Sequence, residues 1–83
     1  RLQAKEQSGQ IVLFLQPSDT FARQDQQARQ RIAREMRTKW GELCVDTDVA
    51  TDDRAHIQLT DGTGKTVGGS RRQDANDVWV QPD

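Results

Sequence analysis

Residues 17–43, PSDTFARQDQQARQRIAREMRTKWGEL, constrain the fold more than any other stretch of this 83-residue chain. At about 100° per residue, Phe21, Ala28, Ile32, Met36, Trp40 and Leu43 fall on one apolar stripe of a helix. Ser18 or Asp19 can cap its start, because a short oxygen side chain accepts from the unpaired amides of the first turn. Gly41 stands where a helix commonly ends. The stretch therefore predicts one long helix from about residue 19 to 40.

Whatever that helix packs on must be supplied by the short apolar runs around it. IVLFL at 11–15 is uninterrupted and closed by Pro17, the pattern of a strand buried on both faces. ELCVDTDV at 42–49 alternates, with Leu43, Val45, Thr47 and Val49 on one side, and reads as a half-buried second strand. Strand, helix, strand at this spacing predicts a right-handed βαβ unit with its two strands parallel. AHIQLT at 55–60 alternates again, DGTG at 61–64 is turn chemistry, and KTVGG can return as the second arm of a hairpin. VWV at 78–80 is a short last strand. The expected fold is a small α/β, α+β-like domain with one long helix on a mixed sheet of four or five strands, in the order β-α-β-β-β-(β). Residues 1–10, RLQAKEQSGQ, are polar and read as a linker or frayed lead-in, leaving 11–83 as the single domain. A chain that starts at Arg1 is expected to be part of a larger protein.

Net charge is −1, but it is unevenly spread. Residues 1–40 carry eight Lys/Arg against four Asp/Glu, and residues 41–83 carry four against nine. Opposite the apolar stripe the helix presents Arg23, Arg31, Arg34 and Arg37 among Gln26, Gln27 and Gln30, with Glu35 at the margin. Arginine and glutamine contact phosphates and base edges, so this face is a candidate for nucleic acid or an acidic protein. It lacks interleaved aromatic residues for base stacking.

The remaining motifs fail on context. Gly64-Lys65-Thr66 completes a phosphate-loop pattern, but its first glycine would fall at Leu59, and VGGSRR is poor sequence for the helix that must follow. Asp46, Asp48, Asp52 and Asp53 crowd one loop, yet a calcium loop counted from Asp46 would need an oxygen ligand, glycine and glutamate where Ala50, Thr51 and Ile57 stand. Cys44 and His56, each the only residue of its kind, would have to meet in space to form a nucleophile–base pair. One Cys and one His are too few for a zinc-type site. No catalytic residue, metal or cofactor is assigned. A single cysteine leans towards a reducing compartment and so towards the cytoplasm, and no apolar run approaches the roughly 20 residues of a membrane span.

Counting layers yields a second surface. One helix covers one face of a sheet, while IVLFL is apolar on both. Val12 and Phe14, with Trp79 from the last strand, are left to the other face, which should not stay in water. Residues 1–10, a second copy in a homodimer, or the rest of the parent protein could cover it. The expected function is a non-catalytic interaction module that uses the Arg/Gln-rich helix face, this apolar sheet face, or both. The alternative is a nucleic-acid-binding domain contacting phosphates through the helix.

Overall fold

A computed structural model describes residues 2–82; Arg1 and Asp83, the outer ends of the expected lead-in and domain, lie outside the described residues. The polar lead-in is a strand. β1 (Leu2–Gln7) pairs antiparallel with β2 (Gln10–Leu15), whose core is the IVLFL run. Ser8 and Gly9 join them with φ of 53° and 80°, the two positive angles of the type I′ turn that suits the twist of a two-residue hairpin. Residues 3–7 are exposed, so β1 is held by its ladder to β2 and carries no hydrophobic signature.

The predicted long helix is present with different limits. Ser18 caps a single turn, α1 (Asp19–Ala22), by accepting from the Phe21 amide at 3.3 Å. The chain then breaks, and Asp25 caps α2 (Gln26–Asp46) by accepting from the Ala28 amide at 2.8 Å. α2 runs straight through Gly41, so the strand expected at 42–49 is instead the last turn of the helix and the loop after it. The alternation that suggested a strand arises because Leu43 and Val45, each 52% exposed, flank the buried Cys44. Gly41 does not end the helix; it makes room inside it. A Cβ there would lie 2.1 Å from Arg37 Nη1 and 2.2 Å from Asp52 Oδ1.

After a 3₁₀ turn at Asp52–Arg54, β3 (Ala55–Thr60) pairs parallel with β2, completing the βαβ unit with a later strand than expected. β4 (Thr66–Arg71) and β5 (Asp74–Val80) follow as antiparallel neighbours. The result is a mixed five-stranded sheet in the order β1-β2-β3-β4-β5 with one long helix on one face. The core between them holds Leu15, Phe21, Ala33, Ile57, Leu59, Val78 and Val80, with Leu13, Ile32, Met36, Trp40 and Val67 packed around it. Burial of Ile57 and Leu59, at 2% and 0% exposure, stabilises the layer contact by about 1.5–3 kcal/mol each. The buried line of α2 is Ala33, Arg37, Gly41 and Cys44, roughly a quarter turn from the stripe of large apolar residues. Small residues let the helix approach the sheet closely, and Ile32, Met36 and Trp40 pack from its flank.

Candidate functional site

Side chains alternate along a strand, so with Leu13, Leu15, Ile57 and Leu59 in the core, their neighbours Val12, Phe14, His56 and Gln58 project from the opposite face. The pairing register carries this face across the whole sheet. Gln3 opposes Phe14, Phe14 opposes Gln58, Gln58 opposes Gly69, and Gly69 opposes Trp79. The two aromatic residues are half-buried and stand in one row. Between them Gly69, at φ 141°, has no side chain, and a Cβ there would lie 2.5 Å from the Ile57 carbonyl oxygen. The row is thus low in the middle.

Residues 2–10 do not fold over this face; β1 extends it by one strand. Among the described residues no helix or loop is layered on it. Val12 is only 7% exposed, covered by its own neighbours, so Phe14 and Trp79 are the accessible apolar members of the expected trio. Lys5 lies with Nζ 5.9 Å from the centre of the Phe14 ring, a cation over an aromatic face. Arg71 Nε and Asp77 Oδ2 pair at 3.3 Å, both more than half exposed. A depression of about 360 Å³ opens at one end, between Gln3, Phe14, Gln16 and the Asp61–Gly62 turn. Another of about 170 Å³ opens at the far end, around His56.

The helix face is less uniform than the sequence suggested. Gln27, Arg31 and Arg34 are exposed on α2, whereas Arg23, expected with them, is exposed in the break before that helix. Arg37, expected beside them, is buried at 2% exposure: Nη2 donates to Asp52 Oδ2 and to Asn76 Oδ1, each at 2.8 Å. Its Nε and Nη1 have no hydrogen-bond partner among the described residues. It ties α2 to the 3₁₀ turn and to β5. Gln30 is also engaged, its side-chain amide donating to the Val78 carbonyl. What remains outside is a shallow surface of Arg31, Arg34, Glu35, Thr38, Lys39 and Glu42, with both signs of charge. Glu35 sits within this face and not at its margin.

The glycine-rich stretch at 59–70 is a hairpin between β3 and β4. Asp61 Oδ1 accepts from the Thr63 amide and hydroxyl and from the Lys65 amide, so the loop's amides turn inward onto its own carboxylate. The Thr63 hydroxyl bond, followed by these amides, holds the Asp61 carboxyl below the usual carboxylate range. Asp53 is lowered likewise, chiefly by the Thr51 hydroxyl.

Cys44 and His56 are not brought together: Cys44 is buried on the helix layer and His56 projects from the far side of the sheet. Burial pushes the Cys44 thiol up, partly opposed by the Arg37 charge. Among the described residues no three His, Cys, Asp or Glu side chains converge as a metal site, and no helix is long and apolar enough to cross a membrane. The features of this face that the sequence concealed are Gln58, Gly69 and the cavity at His56, because each depends on strand register.

The chain matches no protein-family model, and comparison with curated proteins and with solved structures gives no match.

Proposed function

We propose that the chain is a non-catalytic binding module, and that a protein partner docks on the open face of its sheet. One observation carries the reading: half-buried Phe14 and Trp79 stand in a single register row on a sheet face with nothing layered over it among the described residues. Aromatic residues supply large contact area at little entropic cost, and polar neighbours such as Gln3 and Gln58 suit the rim of an interface. The depressions at either end add relief into which partner side chains can fit. Nucleic-acid binding through the helix is the weaker alternative, since its basic face has lost Arg37 and gained Glu35.

A photoreactive residue placed at position 79, and separately at position 34, tests this in the host cell. Protein adducts from position 79 that disappear with Phe14→Asp, while the variant keeps its thermal melt, are expected. Sedimentation velocity over rising concentration then reads whether the partner is a second copy. Unfolding of Phe14→Asp would place that residue in the core and remove the reading. Adducts confined to position 34, or salt-sensitive binding of labelled DNA or RNA that Arg31→Glu and Arg34→Glu abolish, would move function to the helix.

A further inference from the structure

His56 is 4% exposed, and neither Nδ1 nor Nε2 has a hydrogen-bond partner among the described residues. Buried polar groups are nearly always satisfied, so an imidazole with both nitrogens orphaned points to a group that supplies the missing bond. The ring lines the cavity of about 170 Å³ at the amino ends of β2 and β3, with Gln7, Gln10, Gln58, Ser70 and Arg72 around it. Three of these are already partly committed. Gln10 Nε2 donates to the Arg72 carbonyl at 3.2 Å, Ser70 Oγ accepts from the Ile57 amide at 3.1 Å, and Gln58 Nε2 donates to Thr66 Oγ1 at 3.0 Å.

The charge of the lining, not its hydrogen bonding, is one-sided. Each glutamine side chain both donates and accepts, the Ser70 hydroxyl can donate as well as accept, and a neutral imidazole offers one N–H and one acceptor nitrogen. Among the described residues Arg72 is the one charged side chain lining the cavity, and no Asp or Glu lines it. Beyond it, Lys5 and the Arg71–Asp77 pair share the sheet face. A small cavity with several donors and a single cation fits a singly charged, planar acceptor. Arg72 and Gln7 are exposed residues at the two hairpin ends, so their side chains can swing aside to let such a group reach the ring.

We propose that this cavity receives a carboxylate, the acidic side chain of the protein docked across the open sheet face. The inference rests on the docking reading above, and its test is made on the chain alone. His56 is the only histidine, so long-range ¹H–¹⁵N spectra of the ¹⁵N-labelled chain report a single imidazole. Sodium acetate, the α-amide of N-acetylglutamate and inorganic phosphate are titrated separately at constant pH and ionic strength, with sodium chloride as control. Saturable shifts of the His56 signals with acetate and the glutamate amide are expected, absent with chloride and weakened at least about fivefold by Arg72→Ala, the loss of one charge-assisted contact.

A response to acetate but not to the glutamate amide would overturn the assignment to a protein side chain. Tighter binding of phosphate than acetate would overturn the carboxylate, and silence in every arm would overturn the site. Shifts with acetate but no adducts from position 79 would sink the docking reading, and with it the docked protein as the source of the carboxylate, while leaving a carboxylate site at His56. Adducts from position 79 with a silent His56 would sink this inference alone.

Discussion

Arg37 and Cys44 lie on the same buried line of α2, and the charge of one acts on the other. The Arg37 guanidinium is almost wholly removed from water, yet its acceptors are Asp52, whose side chain is 56% exposed, and Asn76. Such a group organises its surroundings more than it stabilises them, because desolvation offsets much of the attraction. For the thiol, burial outweighs Arg37 and raises its pKa in the folded chain. A raised value means that this contribution to stability is fully present below the ordinary thiol pKa. It is lost as pH rises through the folded value. Urea melts from neutral to alkaline pH should therefore show a decline above the ordinary thiol range that Cys44→Ala lessens. Native labelling of Cys44 by a thiol reagent should be slow and should accelerate on unfolding.

At the scale of elements, α2 is decided by a contact that no local rule contains. Glycine inside a helix costs about 1 kcal/mol relative to alanine, so Gly41→Ala would stabilise an isolated helix. Here the new Cβ would meet both partners of the Arg37–Asp52 pair. The Arg37 end of that pair is buried and its Asp52 end is 56% exposed, so unpairing it costs towards the lower end for a stranded buried charge, about 3 kcal/mol. Net destabilisation of about 2 kcal/mol is expected, read as a shifted urea midpoint; a more stable Gly41→Ala chain would show that the pair moves aside freely.

The same contact explains what could be read in advance. The uninterrupted run at 11–15, alternating Ala55–Thr60 and the turn at 61–64 carry their structures in local pattern, and all three were legible. Gly41 reads as a stop unless Arg37 and Asp52 are known to need its space. Leu43 to Val49 mimicked a strand because exposed apolar residues at a helix end alternate by chance. β1 left no trace in hydropathy, since a strand exposed on both faces is specified only by its backbone partner and by the Ser8–Gly9 turn. Phe14 and Trp79 were identifiable as surface candidates, whereas the row joining them through Gln58 and Gly69 required the register.

Across the whole molecule the two edges of the sheet are treated differently. Along β5, Gln30 donates to the Val78 carbonyl and Arg29 Nη1 to the Gln81 carbonyl at 3.0 Å, so α2 closes that side. At the other side the outermost strand is β1, polar and joined to the sheet through β2 alone. Few buried apolar contacts make such a hairpin arm the first part to open. When it does, the strand beneath becomes the edge, and that strand is an uncharged, proline-free run of Ile, Val, Leu and Phe, the composition that assembles into cross-β fibrils. Deleting residues 1–9 should leave a folded chain that aggregates in proportion to its concentration and binds thioflavin T, whereas a stably monomeric deletion would deny β1 this part. By this reckoning the least conspicuous segment of the sequence is a guard strip against amyloid.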